Sequence, residues 1–159
     1  MNRIISCICL LFTLLVFTGC VAAPRCENIK MTPNVALATP ASGKGLVFFY
    51  REQFGFGKSD IYKGYCGDIF NHYIHDGAKK RIGLVGHACY FSYQAEPGDH
   101  TFWFEFDGGK SILTMSVEEG KTYYINHAYG QAFALVQVVE SYALPQIKGI
   151  SYCEMIPDK

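Results

Sequence analysis

Five histidines, seven cysteines and a tyrosine-rich stretch are the parts of this sequence that could do chemistry. His72, His75, His87, His100 and His127 invite a metal or an acid–base reading. His72 and His75 are three apart, so on a strand they point to opposite faces. His87 and Cys89 are two apart and could share a face, as zinc ligands do. No C-x-x-C or H-E-x-x-H spacing accompanies them. The expectation is no metal and no cofactor, with the histidines at the surface or in turns, His100 opening a strand, and Cys89 in a disulfide. A nucleophile has no better footing: there is no G-x-S-x-G elbow, and Ser92 has no evident base. Gly43-Lys44-Gly45 and Gly55-Phe56-Gly57-Lys58-Ser59 lack the spacing and the strand-to-helix setting of a phosphate loop. No catalytic residue is assigned, and no enzyme is expected.

Cys20 is a different case. The chain opens MNRIISCICLLFTLLVFTGC, with a positive charge at Arg3 and an apolar run from Ile4 to Phe17. Charge, apolar stretch and small residues are the layout of an export signal. The run falls short of the roughly 20 residues that span a bilayer. Phe17-Thr18-Gly19-Cys20 resembles the bacterial lipobox, although Phe17 stands where Leu is usual. The resemblance implies a diacylglyceryl group on the Cys20 sulfur, removal of residues 1–19 as a signal peptide, and acylation of the new amino end. By resemblance to Gram-negative lipoproteins, Val21 after the cysteine implies sorting to the outer membrane, facing the periplasm. An ordinary secretory signal cut after Ala22 or Ala23 is the alternative.

Export gives meaning to the remaining thiols. Cys7 and Cys9 leave with the signal, and Cys26, Cys66, Cys89 and Cys153 remain besides Cys20. An even number in an oxidising compartment suggests disulfides, with three possible connectivities. The pairing expected is Cys26–Cys153, tying the domain ends, and Cys66–Cys89, pinning an irregular loop; four free buried thiols are the alternative. Loss of Arg3 leaves 13 basic residues against 14 acidic ones. That near-neutral balance argues against nucleic acid as a partner.

The elements that must position these residues are strands. Residues 20–43 carry three prolines and no apolar period, which predicts a lipid-anchored tether. Residues 44–159 predict one domain. Leu46-Val47-Phe48-Phe49-Tyr50 reads as a strand buried on both faces. Further strands are expected over residues 69–75, 81–85, 89–94, 100–106, 113–117 and from Tyr123. Turns are expected at Asp76-Gly77, Gly86-His87-Ala88, Pro97-Gly98 and Glu119-Gly120. Residues 132–139 are apolar and β-branched, which predicts a central strand. A short helix over 141–148 is limited by Pro145. Together these predict an all-β fold, an antiparallel sandwich of about seven or eight strands with a short C-terminal helix.

Gly45-Leu46-Val47-Phe48-Phe49-Tyr50-Arg51, Gly83-Leu84, Tyr90-Phe91, Pro97-Gly98-Asp99-His100-Thr101 and Glu119-Gly120-Lys121-Thr122-Tyr123-Tyr124 make the chain similar to a family of small bacterial lipoproteins, domain of unknown function 2846. The resemblance covers residues 44–148 and departs between Gln53 and Ile74. It implies an all-β domain on a lipid tether and no established activity.

Tyr50, Phe54, Phe56, Tyr62 and Tyr65 cluster around a glycine-rich stretch read as a loop. Rings there either contact a partner, such as an envelope protein or a glycan, or cap one end of the sandwich. The function expected is a non-enzymatic, lipid-anchored envelope domain that binds or scaffolds. Alternatives are an envelope enzyme with a site on the 54–70 loop, or a purely structural lipoprotein.

Overall fold

The computed structural model describes residues 29–52, 72–78, 80–106, 109–129 and 133–155. They form two packed sheets and one helix. The strands are β1 (Ile29–Thr32), β2 (Gly45–Arg51), β3 (His72–Asp76), β4 (Lys80–Val85), β5 (Cys89–Ala95), β6 (Gly98–Phe106), β7 (Gly109–Val117), β8 (Thr122–Tyr129), β9 (Phe133–Val138) and β10 (Ser151–Met155), with α1 (Glu140–Ile147) between the last two. One sheet has the order β1-β10-β5-β2-β8-β9 and the other β4-β3-β6-β7. The all-β sandwich expectation holds, with ten described strands rather than seven or eight. The larger sheet is mixed, because β2 runs parallel to β8 and β10 parallel to β5.

Every residue of β2 is buried. Val47 and Phe49 face the second sheet, and Leu46, Phe48 and Tyr50 lie under α1. Phe49 stacks on its cross-strand partner Phe91 and meets Phe102 edge-on, with ring centroids 5.0 and 5.1 Å apart. In β6 the expected alternation is present: Phe102 and Phe104 are fully buried, while Glu105 is exposed. Gly83 carries no side chain because Phe91 lies across it. A Cβ there would stand 2.3 Å from the ring.

Three expectations are corrected. First, the segment read as a tether is part of the domain from residue 29 onward. β1 pairs antiparallel with β10. Tyr90 donates to the Val35 carbonyl, and Gln94 bonds both Thr39 and Ala41. Gly43 donates to Glu119. A proline-rich segment without apolar period can still dock through backbone hydrogen bonds, which leave no trace in hydropathy. Second, β9 is an edge strand and not a central one. Its Leu135 faces the core, but Val136 is 43% exposed. Third, Cys89 pairs with Cys153, their Cα atoms 5.7 Å apart. The expected pairings with Cys66 and Cys26 therefore fail. The parallel pairing of Ser151 with Cys89 brings the chain end beside β5. Cys20, Cys26 and Cys66 lie outside the described residues.

The Cys89–Cys153 bond closes a loop with a sequence separation of 64. In the chain-entropy picture such a cross-link is worth about 4 kcal/mol. The Cys89→Ala/Cys153→Ala double variant should lose stability of that order in denaturant unfolding. An unchanged midpoint would remove the bond from the account. Gly83→Ala should cost about 1–3 kcal/mol through overpacking against Phe91, read as a lower thermal midpoint.

Candidate functional site

Three constellations of polar side chains emerge from this fold. The first is a buried cluster between the sheets. By the alternation of β2, Arg51 follows Val47 and Phe49 to the inner face and is fully buried. Its guanidinium carbon lies 5.2 Å from the centre of the Phe133 ring. His72 from β3 and His127 from β8 are 6% and 1% exposed. His72 Nδ1 and His127 Nε2 are 2.7 Å apart, so one ring donates and the other accepts. Phe104 packs against both. Burial, and then the Arg51 charge, pull the pKa of His72 down to about 4. Burial, Arg51 and His72 pull that of His127 down to about 3. The same two causes, burial first, lower His87. These rings are neutral near pH 7, and a nearby guanidinium opposes a metal cation. Among the described residues, no group of three or more His, Cys, Asp or Glu side chains is placed to hold a metal.

The second constellation is a chain of hydrogen bonds that links β3, β4 and β6 of the smaller sheet to β5 of the larger one. Lys80 donates to the Tyr93 hydroxyl (3.2 Å), which donates to Asp76 Oδ2 (3.0 Å). His100 Nδ1 lies 2.8 Å from the same carboxylate oxygen. An aspartate–histidine pair of this kind serves catalysis when the far ring nitrogen faces a nucleophile. Here that nitrogen lies 2.7 Å from the Glu96 carbonyl. The pair therefore clamps the β5–β6 turn to the end of β3.

The third is a groove on the outer face of the larger sheet, beside α1. Its volume is about 450 Å³, and Asn126, Ala128, Val136, Val138, Val139 and Tyr142 line it. α1 seats only Ala143 and Ile147 in the core beneath it. It leaves Val139 68% and Tyr142 50% exposed. One end of the groove is polar. Glu52 Oε1 accepts from Asn126 Nδ2 (2.7 Å) and from the Tyr142 hydroxyl (3.1 Å). Tyr50, which neighbours Asn126 across the parallel pair, is fully buried. Burial raises its phenol pKa, and the nearby Glu52 and Tyr142 raise it further.

The sequence-based expectations met mixed outcomes. Tyr50 is a strand residue beneath α1 and not part of an exposed ring cluster. Phe54, Phe56, Tyr62 and Tyr65 lie outside the described residues, as does the 54–70 loop. His72 and His75 do take opposite faces, with His75 stacked 4.0 Å from Trp103 on the outer face of the smaller sheet. His72 and His127 are buried rather than superficial. Strand parity could have shown this: His72 keeps step with Ile74, and His127 with Ile125. Cys89 is in a disulfide, as expected. Glu52, Asn126 and Tyr142 were not singled out, since the elements they share are far apart in sequence.

Compared with known proteins, the chain matches no protein-family model, no curated protein and no solved structure.

Low pH should attack the inner cluster. An unfolded histidine binds its proton near pH 6.5. His72 and His127 bind theirs only near 4 and 3. Between these values the unfolded chain holds more protons, so stability is full above about pH 6.5. It falls as pH drops towards 4, by about 1.4 kcal/mol per pH unit for each ring. Nitrogen NMR of the imidazoles should find both rings neutral at pH 5.5; titration of both near 6.5 would contradict the burial.

Proposed function

We propose that this chain is a lipid-anchored cell-envelope protein whose β-sandwich binds or scaffolds a partner and catalyses no reaction. The observation that carries the anchor is Gly19-Cys20 set directly behind an apolar run with Arg3 ahead of it. Acyl chains add about 0.8 kcal/mol per buried CH₂, and one chain alone binds only marginally. Two or three chains on Cys20 hold the protein firmly. By resemblance to Gram-negative lipoproteins, Val21 favours the outer membrane, periplasmic side.

The fold sharpens this reading. Only eight residues separate Cys20 from Ile29, where β1 begins. That leash reaches at most about 30 Å fully extended. A lipid on Cys20 therefore keeps the sandwich near the bilayer surface. Among the described residues, no helix is long and apolar enough to cross a membrane. The binding role is supported by the groove beside α1, where exposed valines adjoin a carboxylate, a phenol and an amide. An envelope enzyme would find its best residues in the Arg51–His72–His127 cluster. Those rings are desolvated and bonded to each other, which favours a structural role.

The test of the anchor is Cys20→Ala. The variant should carry no fatty acyl mass and should either retain residues 1–19 or be released as a soluble protein. Normal lipid labelling of the variant would overturn the proposal.

A further inference from the structure

Two polar atoms beside the groove find no partner. Tyr50 Oη and Asn126 Oδ1 are buried, and neither makes a hydrogen bond among the described residues. Their residues are 0% and 8% exposed and sit side by side across β2 and β8. Buried polar atoms in native proteins are almost always paired, so this couple calls for a partner that the described residues do not supply. Glu52 stands next to them. Its Oε1 holds Asn126 and Tyr142, and its Oε2 makes no bond among the described residues. Among the described residues, no basic side chain lines the groove. Glu140 lies near enough to raise the phenol pKa of Tyr124, after burial. The rest of the lining is Ala128, Val136, Val138 and Val139. An apolar shelf thus leads to an acidic end with one free acceptor, Asn126 Oδ1.

We propose that this groove binds an arginine side chain presented by an exposed segment of an envelope partner protein. This rests on the reading of the sandwich as a binding module and names its ligand. The aliphatic stem and flanking apolar residues lie along Val136, Val138 and Val139. The guanidinium displaces the Tyr142 hydroxyl from Glu52, pairs with the carboxylate and donates to Asn126 Oδ1. A guanidinium has five donors in a planar fork, whereas an ammonium has three at one point. The freed, half-exposed Tyr142 ring then lies against its flat face. Charge complementarity selects this occupant over a lipid. A phosphatidylethanolamine headgroup would bring its phosphate against Glu52 and Glu140 along with its ammonium.

The test is an NMR titration of the isotope-labelled full chain with N-acetyl-arginine amide, and with its citrulline counterpart, which keeps the shape and lacks the charge. Saturable shifts should appear at residues 126–128 and 136–142. Citrulline should bind at least about tenfold more weakly, as should arginine to the Glu52→Gln variant, because each loses the charge-assisted pair. Val136→Lys, at the exposed rim, should abolish binding without disturbing the core. Four results would overturn the proposal: no shifts at those residues, equal binding of arginine and citrulline, unchanged affinity in both variants, or displacement of the probe by phosphatidylethanolamine vesicles. The titration does not need the lipid, and acylation of Cys20 is read separately by mass, so the binding claim and the anchor fail independently.

Discussion

The seven residues Gly45–Arg51 are buried without exception in the middle of the larger sheet, and the other elements depend on covering both of their faces. On one side Val47 and Phe49 demand a second sheet, which β3, β4, β6 and β7 supply. On the other, Leu46, Phe48 and Tyr50 demand a lid, which α1 supplies through Ala143 and Ile147. Burying a large apolar side chain contributes about 1.5–3 kcal/mol. A strand with two such faces cannot sit at an edge, so β5 and β8 must flank it. The helix follows β9 immediately and folds back over the sheet, despite Pro145 within it.

Where the two layers are not purely apolar, neutral groups and paired charges take their places. Arg51 continues the inward parity of β2 and brings a cation between the sheets. The His72–His127 pair meets it in the neutral state, one ring donating to the other, because a proton on both would set donor against donor and add charge beside a guanidinium. Aromatic rings from Phe104 and Phe133 complete this end of the core. Elsewhere, His100 joins the Asp76 carboxylate to the Glu96 carbonyl and so clamps a turn.

The groove follows from how the two edges of the larger sheet are finished. β1 and β10 bring the amino-terminal segment and the chain end to one edge, where the Cys89–Cys153 bond fastens β10 to β5. At the opposite edge β9 presents Leu135 to the core, its backbone N–H held by Ser111 Oγ of β7 (3.0 Å). Its outer side, with Val136 and Val138, extends past the reach of the eight-residue helix. An eight-residue helix is about 12 Å long. It can roof the middle strands of a six-stranded sheet but not their full width. The groove is the part of the outer face left over.

Local alternation recorded which side of each strand is apolar. From that alone the β2 segment, the Phe102–Phe104 face, the turns at Gly77, Gly98 and Gly120, the short helix and the sandwich class were legible. The same parity held the inward course of Arg51, His72 and His127, though polar residue types disguised it. Hydropathy could not tell that β9 is an edge, because valines on an uncovered shelf look like valines in a core. Nor could it tell that residues 29–43 dock, because backbone hydrogen bonds to β10 and to Gln94 have no side-chain signature. The partner of Cys89, and the meeting of Glu52, Tyr50, Asn126 and Tyr142, were decided only by tertiary structure. Periodicity reports the burial of a residue against its immediate chain neighbours, whereas strand order and side-chain convergence depend on contacts between segments that the chain itself keeps far apart.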